Sequence, residues 1–457
     1  MLLWSLSGVV MMYQGYPRQS AEEQLATLAP LSLARCCETP QLAHVEDQIT
    51  QLVVEMLDDR PTLHLYWANG ERQLFDLTHG TGLPSISPEL ARKVARRYLG
   101  RDHLPPAEVI ARDQWTVYGS YNPQSPLYRF SVDDAAATEL YVSSRTGQIV
   151  QETTRSERLW GYLGAVTHWI YPTLLRQHVS LWYWLVVVLS VLGTLLTATG
   201  LYVGWVQLRR RRSPYRGWHK VHHYSGLIFG VLTLTWVASG LLSMNPGGLL
   251  EADRGAAEKT RWRGTPTLDL PAITAQLAQV TVPEGTVRLR WLISDAFPAV
   301  LAERHDGPSE RLNANSLLPE PLAPQQLPHS ARRLAGADKI LSQSLIHRED
   351  SYYYSHHKHA RLPVYRVVLA SGIRYYLHPQ TGALLKKVDG NARWYRWLFN
   401  GLHSLDFFAT LRSRPVWDLV MLLALSGVTL LCVSGVYIGY KRAAILKRSH
   451  QARKHRA

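Results

Sequence analysis

Residues 224–244 read YSGLIFGVLTLTWVASGLLSM, a run without a single Asp, Glu, Lys or Arg. An α-helix of about 20 apolar residues is long enough to cross the hydrocarbon core of a bilayer. Two further stretches, 181–206 and 419–440, are equally uncharged and apolar. Residues 1–16 are also uncharged but too short to span. The sequence therefore predicts a membrane protein and excludes a purely soluble one.

The positive charge of the chain is concentrated beside these apolar stretches. The 457 residues carry 50 Lys and Arg against 35 Asp and Glu, a net charge of +15, although only 19% of them are charged. Two segments without acids, 209–220 and 441–456, hold nearly all of the excess. Because Lys and Arg are enriched in cytoplasmic loops, we place both segments in the cytoplasm and the long segments 17–178 and 246–413 on the opposite side. This distribution argues against nucleic acid as a partner.

Residues in and around the helices recur at two nearly equal spacings, which indicates an internal duplication. The chain is predicted to contain two copies of one unit: helix, external domain, helix. The residue that would match His222 in the first copy falls before Met1, so helix 1 is expected to be the later part of a longer helix. The matched pairs include Gly147 with Gly382, His168 with His403, Trp182 with Trp417 and Gly200 with Gly435 at an offset of 235, and Trp4 with Trp236, Ser7 with Ser239 and Gly8 with Gly240 at 232.

The two external segments show mixed helix and strand patterns. Residues 88–100, PELARKVARRYLG, have helical spacing with Pro88 at the start and Gly100 directly after the end. Short runs rich in β-branched and aromatic residues, broken by Asn, Pro, Asp and Gly, predict strands. The predicted helices are 45–57, 88–100, 272–280 and 331–343, and the predicted strands are 62–67, 72–77, 113–121, 127–132, 139–150, 286–293, 299–304, 352–357, 363–370 and 373–385.

Four stretches carry a resemblance to a known family. They are HHYSGLIFGVLTLTWVASGLLSMNP (222–246), YLHPQTGALLKKV (376–388), WLFNGLHSLDF (397–407) and RPVWDLVMLLALSGVTLLCVSGVYIGYKR (414–442). With the order of the elements, they resemble the PepSY-associated transmembrane family, which includes iron-regulated inner-membrane proteins and siderophore reductases of Gram-negative bacteria. The resemblance covers essentially the whole chain. It implies four transmembrane helices, periplasmic PepSY-like domains and, in the reductases, b-type haems held by histidine pairs.

The expected fold is an α+β membrane protein, in which a four-helix transmembrane bundle is built from two repeats that each carry a periplasmic PepSY-like α+β domain. Its expected location is the bacterial inner membrane, with a cytoplasmic C-terminus. In chain order the predicted parts are transmembrane helix 1 (1–16), periplasmic domain 1 (17–178), helix 2 (179–208), a basic cytoplasmic loop (209–221), helix 3 (222–245), periplasmic domain 2 (246–413), helix 4 (414–440) and a basic cytoplasmic tail (441–457).

His168 and His403 are the leading candidate ligands of haem iron. They occupy the same position in both copies, each 14 residues before the matched Trp of the next helix. Neutral imidazole is a common axial ligand of haem iron, and two such ligands leave no open coordination site, which suits electron transfer. The alternative is that both histidines cap or pack an interfacial helix beside aromatic residues.

A second group of histidines lies at the cytoplasmic entrance of helix 3. His219, His222 and His223 share one helical face if the helix extends back to Trp218. The resemblance makes His222 the candidate ligand of a second, cytoplasmic-side haem, with His219 beside it. The family's His-Arg-Trp start of helix 1 has no counterpart here. The alternative is a basic loop facing anionic lipid headgroups.

Other patterns are weaker. His356, His357 and His359 form a short tract that favours a solvated polar edge over a metal site. The chain shows no glycine-rich phosphate loop, no dinucleotide fingerprint and no hydrolase signature. Electrons for a reductase would therefore come from a quinol or a separate cytoplasmic donor. A helix of about 20 residues is about 30 Å long, so one haem at each face would suit the transfer.

The expected function is haem-dependent electron transfer that reduces ferric iron or a ferric siderophore on the periplasmic side. The expected cofactor is one or two b-type haems, and the expected partners are the lipid bilayer, the iron chelate and the electron donor. No catalytic residue can be named from the sequence. The alternative is a non-enzymatic PepSY protein that restrains a periplasmic peptidase or assists assembly of a complex.

Overall fold

The computed structural model describes residues 1–34, 36–42, 48–208, 212–355 and 360–454. These residues form a mixed α/β protein with long apolar helices and several β-sheets. The helices are α1 (Leu2–Met11), α2 (Ala21–Ala26), α3 (Pro88–Leu99), α4 (Arg155–Gly161), α5 (Thr173–Arg176), α6 (Val179–Val206), α7 (Gly217–Ser243), α8 (Ala256–Arg263), α9 (Leu270–Leu277), α10 (Gln326–Ala335), α11 (Gly390–Tyr395), α12 (Leu402–Ser404), α13 (Ala409–Arg412) and α14 (Val416–Lys454).

The strands alternate with these helices outside the long apolar segments. Two π-helical segments, Tyr162–Val166 and Arg396–Gly401, interrupt the helical runs, and 3-10 turns form at Gly119–Gln124 and Pro246–Gly248. The strands are β1 (Ile49–Leu57), β2 (Arg60–Trp67), β3 (Arg72–Asp76), β4 (Thr81–Gly82), β5 (Glu108–Ile110), β6 (Leu127–Ser131), β7 (Glu139–Ser143), β8 (Ile149–Thr153), β9 (Thr286–Leu292), β10 (Ala299–Arg304), β11 (Glu310–Asn313), β12 (Ile340–Ile346), β13 (Val364–Leu369), β14 (Arg374–Leu377) and β15 (Leu384–Val388).

Among the described residues, three helices are long and apolar enough to cross a membrane: α6, α7 and the Val416–Arg448 part of α14. The three uncharged stretches of the sequence are thus confirmed as helices of spanning length. The apolar helix α1 is shorter, at 10 residues. Helix α7 packs against both α6 and α14, and α1 packs against α14. The α6–α7 contact is close, because a Cβ at Gly230 would lie only 2.7 Å from the Leu201 side chain.

One seven-stranded sheet contains strands from both external segments. Its order is β11-β10-β9-β1-β2-β3-β4, and β1 pairs antiparallel with β9, with Leu52 opposite Trp291. Two four-stranded antiparallel sheets, β5-β6-β7-β8 and β12-β13-β14-β15, stand separately from it. The sequence did not predict the pairing of β1 with β9.

A buried charged cluster lies across the junction of β1 with β9. Arg288 Nε donates to Glu55 Oε2 at 2.8 Å, and its Nη1 lies 3.5 Å from Glu303. Glu55 is 2% exposed. Burial raises the pKa of Glu55, but Arg288 and His64 outweigh that effect, so the pKa lies below its usual value. Glu55 is therefore a buried carboxylate whose negative charge is stabilised by Arg288.

The predicted helix over 45–57 is wrong in its described part, because Ile49–Leu57 is strand β1. β1 is a central strand, with β2 on one side and β9 on the other. Strands buried on both faces show continuous apolar runs instead of alternation. Periodicity cannot distinguish such a run from a buried helix.

The predicted strand over 113–121 is also wrong. The Asp113 carboxylate accepts hydrogen bonds from the backbone N–H groups of Trp115 and Thr116. An Asp carboxylate that accepts hydrogen bonds from the backbone N–H groups two and three residues later favours a turn. The chain then continues into the 3-10 turn at Gly119–Gln124.

Further differences occur in the second external segment. The predicted helix over 331–343 ends at Ala335, since Gly336 adopts a φ of 62°, and β12 follows. Residues 352–355 of the predicted strand 352–357 form no strand, and 356–357 lie outside the described residues. The helix over 88–100 is confirmed as α3, which ends at Gly100 with φ 60°.

Candidate histidine site

We call His168 and His403 the outer pair, and each follows a π-helical segment. His168 comes shortly after Tyr162–Val166, and His403 shortly after Arg396–Gly401. π-helical turns are rare and occur frequently at functional sites. The residue after each histidine is tied to the helix that follows it. The anchoring bonds run from Trp182 Nε1–H to the Trp169 carbonyl, at 3.0 Å, and from Trp417 Nε1–H to the Ser404 carbonyl, at 2.7 Å.

The structure brings His168 and His403 together. Their ring centroids are 6.2 Å apart and their planes are nearly perpendicular, at 82°. The bond from a metal to an imidazole nitrogen is about 2 Å long. Two rings at this separation therefore leave room for one metal atom between them.

The Nδ1 atom of each ring is held by the facing helix. His168 Nδ1 lies 3.1 Å from Ser7 Oγ and 3.2 Å from the Trp4 carbonyl oxygen. A carbonyl oxygen only accepts, so the network assigns the proton to Nδ1 and leaves the lone pair on Nε2. His403 Nδ1 lies 3.0 Å from Ser239 Oγ. A hydrogen bond at one ring nitrogen that fixes the tautomer is the usual arrangement around a metal-ligating histidine.

Both outer imidazoles are neutral at pH 7. Burial lowers the pKa of His168 to about 4. Burial, together with the neighbouring His168, lowers the pKa of His403 to about 4. The neutral form is the one that binds metals. The pair is therefore in the protonation state that a ligand requires.

Two apolar cavities of about 200 and 310 Å³ flank this pair, and both histidines line both of them. Glycines keep the helix surface close to each ring. A Cβ at Gly8 would lie 3.7 Å from His168 Cε1, and a Cβ at Gly240 would lie 4.0 Å from His403 Cε1. The surroundings fit a flat apolar group such as a porphyrin between the two rings.

The inner candidate His222 is held in the same way. Its Nδ1 lies 3.0 Å from Ser434 Oγ and 3.2 Å from the Leu431 carbonyl oxygen, both on α14. The ring lines a mostly apolar cavity of about 750 Å³. Gly435 lies beside it, since a Cβ there would be 3.1 Å from His222 Cε1. The His222 ring is thus oriented by α14 and borders a cavity large enough for a ligand.

The two neighbours of His222 differ from it. His219 lines the same cavity, but its side chain is exposed. It lies three residues before His222, on the same side of the helix, so the two rings do not face each other. Both ring nitrogens of His223 are occupied, Nδ1 by Ser213 Oγ at 2.7 Å and Nε2 by the Gly204 carbonyl at 2.8 Å. His223 therefore has a structural role.

Sequence reasoning missed the serines that hold these rings. Ser7, Ser239 and Ser434 are buried, and Ser7 and Ser434 each lie three residues after the carbonyl that bonds the same ring. Ser7 and Ser239 matched in the duplication, which was the available signal, whereas Ser434 had none. Over the described ranges, no group of three or more His, Cys, Asp or Glu side chains forms a metal site. His356, His357, His359 and residues 209–211 lie outside those ranges.

The fold and the site together define a mixed α/β protein with helices of membrane-spanning length and a half-buried, neutral histidine pair. Neither a family model nor a curated protein matches the chain.

Proposed function

We propose that this protein carries electrons across the bacterial inner membrane through b-type haem and reduces ferric iron or a ferric siderophore on the periplasmic side. The observation that carries the proposal is the neutral pair His168 and His403, whose rings are 6.2 Å apart with each Nδ1 already bonded. In this proposal the protein resembles the siderophore reductases of the PepSY-associated transmembrane family.

The proposal includes a four-helix bundle made of two repeats, formed by α1, α6, α7 and α14. Equivalent residues make equivalent contacts, which supports the duplication. Ser7 bonds His168 as Ser239 bonds His403. Two residues beyond each histidine the backbone adopts a positive φ, 53° at Ile170 and 54° at Leu405, a conformation that such side chains rarely adopt.

The proposed orientation places the inner histidines in the cytoplasmic half and the outer pair towards the periplasm. The Lys and Arg residues that follow the C-terminal end of α6, and those in the last turns of α14, support it. The sheets then lie in the periplasm as PepSY-like domains. A quinol or a cytoplasmic donor would supply the electrons.

His168 and His403 would hold one haem, and His222 would supply one ligand of a second, with His219 at the wall of the same cavity. When bound, a b-type haem supplies a one-electron couple on its iron. Ser7, Ser239 and Ser434 orient the imidazoles and keep each proton on Nδ1. The apolar lining of the cavities excludes water from the rings.

The test is a dithionite-reduced minus oxidised spectrum of the purified full chain, with a pyridine haemochrome assay for stoichiometry. We expect b-type bands that weaken in His168→Ala and in His403→Ala. His178→Ala is the matched control, because His178 is exposed at the same end of α6. Haem-free protein from haem-replete cells would instead favour a role in restraining a peptidase or assisting assembly.

A further inference from the structure

Strand β12 forms one edge of the sheet β12-β13-β14-β15 and is exposed on both of its faces. It pairs with β13 on one side and has no partner among the described strands on the other. Residues 341–345 are all exposed, and the two leucines among them, Leu341 and Leu345, are 61% and 42% exposed. Because successive side chains of a strand point to opposite faces, neither face of β12 is covered.

The other edge strands longer than two residues carry charge, whereas β12 carries none. Proteins protect exposed edges from pairing with other chains by charged side chains, prolines and short strands. β5 occupies the same place in the other four-stranded sheet; it is three residues long, is preceded by Pro105 and Pro106, and pairs Glu108 with Arg129. β12 is seven residues long and has the uncharged sequence ILSQSLI. Among the described edges, charges also occur at Glu152 in β8, Glu310 and Arg311 in β11, and Lys386 and Lys387 in β15.

The sequence of β12 reads the same in both directions. If a second copy pairs with it antiparallel about Gln343, each residue meets an identical side chain. Such an interface is isologous, because both copies use the same surface patch around a twofold axis. Side chains directly opposite each other on an antiparallel ladder interact, so the leucines and isoleucines gain apolar partners and the serines gain hydroxyl partners. The opposed pairs are Ile340 with Ile346, Leu341 with Leu345, Ser342 with Ser344 and Gln343 with Gln343.

Charged residues beyond both ends of β12 are complementary in the same register. Continued by two residues at each end, the register brings Asp338 of one copy opposite Arg348 of the other, at two places. Arg348 is exposed, and neither side chain makes an ion pair with a described residue. Lys339 meets His347, so no pair of like charges arises when His is counted as neutral. Because opposite charges across two strands stabilise their pairing and like charges destabilise it, these ends favour the register centred on Gln343.

One face of this sheet is turned towards the chain that continues into α14. Val364, Tyr376 and Val388 on that face pack with Tyr352 and with Ala392 of α11. The opposite face packs against α8 and α10. A twofold axis between two antiparallel strands runs perpendicular to their sheet, and two chains inserted in the same direction in one membrane are related by an axis perpendicular to the bilayer. Because a face of the sheet, and not an edge, is directed towards α14, these two axes are compatible.

We propose that β12 binds β12 of a second copy of this chain, antiparallel and centred on Gln343. The two four-stranded sheets then become one sheet of eight strands. A single pair of seven-residue strands buries less surface than a permanent interface does, so the dimer is a weak one and forms when the chains are concentrated in a membrane. The proposal uses no residue of the histidine site and therefore goes beyond the proposed function.

Cysteine cross-linking of the full chain in native membranes tests the register. Gln343→Cys places the two new thiols opposite each other, with Cα atoms about 4.5–5.5 Å apart, which suits a disulfide. The control Leu341→Cys lies on the same exposed strand, but its counterpart in the second copy is four residues further along, about 14 Å away. We expect Gln343→Cys to form a covalent dimer under mild oxidation, and Leu341→Cys to form no more dimer than the wild-type chain.

A pair of charged variants tests the same contact without a covalent bond. Leu341→Lys/Leu345→Lys places Lys opposite Lys at two positions, whereas Leu341→Lys/Leu345→Glu places Lys opposite Glu at both. The measurement is Förster transfer between full chains fused at the C-terminus to donor and acceptor fluorescent proteins, in liposomes at a series of protein-to-lipid ratios. The Lys/Lys variant should dimerise at least about tenfold more weakly than the Lys/Glu variant. Both positions are exposed, so thermal unfolding of the two variants should be equal.

Three outcomes would overturn the proposal: a wild-type chain that stays monomeric at every protein-to-lipid ratio, equal cross-linking of Gln343→Cys and Leu341→Cys, or equal dimerisation of the two charged variants. A cross-link from Gln343→Cys to a different protein would assign β12 to an extended segment of that protein and reject the second copy. Haem content is not involved in any of these results, so they are independent of the test of the proposed function.

Discussion

The outer and inner histidine groups differ in where their rings come from. His168 and His403 approach from two separate chain segments and face each other, with cavities of only about 200 and 310 Å³ beside them. His219, His222 and His223 all lie on α7, beside a cavity of about 750 Å³. A haem with two histidine ligands needs one ring on each face, which the outer pair can supply and the histidines of α7 alone cannot. The number of elements that supply histidines is therefore more informative than the number of histidines.

The largest expected effect comes from removing one histidine from each of the two groups, in separate variants. His403→Ala should abolish the contribution of the outer haem and leave that of the inner haem, whereas His222→Ala should do the opposite. The measurement is haem per chain together with the band positions at low temperature. Loss of both signals in either variant, at unchanged protein yield, would contradict two separate sites.

A substitution far from the histidines tests whether haem binding by the two histidine groups depends on the seven-stranded sheet. Arg288→Ala leaves Glu55 buried without its partner, and breaking such a pair costs about 3–5 kcal/mol of unfolding free energy. Denaturant unfolding, followed through the external segments, should show this loss. The matched variant Arg304→Ala removes a half-exposed pair with Glu310 and should cost less than about 1 kcal/mol.

Neither substitution should change haem content per folded chain, because both lie on the sheet that contains β1 and β9. A selective loss of the outer haem in Arg288→Ala would show that this sheet helps to position His168 and His403. The difference between the two histidine groups would then have a cause outside the helices.

A smaller effect is expected from removing the serine hydroxyl that bonds the His403 ring. Ser239→Ala removes the hydroxyl next to His403 Nδ1, and loss of such a partner typically lowers metal affinity by about 10–100-fold. Haem retention during competition with apo-myoglobin measures this. Thr235→Ala is the control, since its hydroxyl bonds the Leu232 carbonyl of the same helix. Equal retention in both variants would remove Ser239 from the site.

The smallest effect is expected at His219. Its side chain is exposed and does not face His222, so His219→Ala should leave the inner haem content unchanged within error. Haem per chain and the inner band position check this. A complete loss of the inner haem would make His219 a ligand and reduce the contrast between the two groups.

Much of the outer site was predictable from the sequence, because His168, His403 and the two tryptophans recur at one offset. The spanning helices were predictable from composition alone. The π-helical turns before each histidine have no composition signal. Ser434 was missed because nothing in the sequence relates it to His222, which lies 212 positions away. Contacts of this kind arise only when the helices pack.

The external segments likewise contain some features that the sequence predicts and others that it does not. Turn and cap residues such as Gly100 indicated where α3 ends. The pairing of Leu52 with Trp291 joins distant parts of the chain and has no local signature. The polar cavity lined by Tyr183, Arg254 and Lys386 was likewise missed, since these residues come from separate elements and converge only in the folded chain.

The most direct test of the outer pair is electron paramagnetic resonance of the oxidised, purified protein. Two imidazoles with planes 82° apart predict low-spin ferric haem with the highly anisotropic signal of perpendicular axial rings, and this signal should disappear in His168→Ala and in His403→Ala. Absence of this low-spin signal from the wild-type protein, or its survival in both variants, would contradict the assignment of His168 and His403 as the haem ligands.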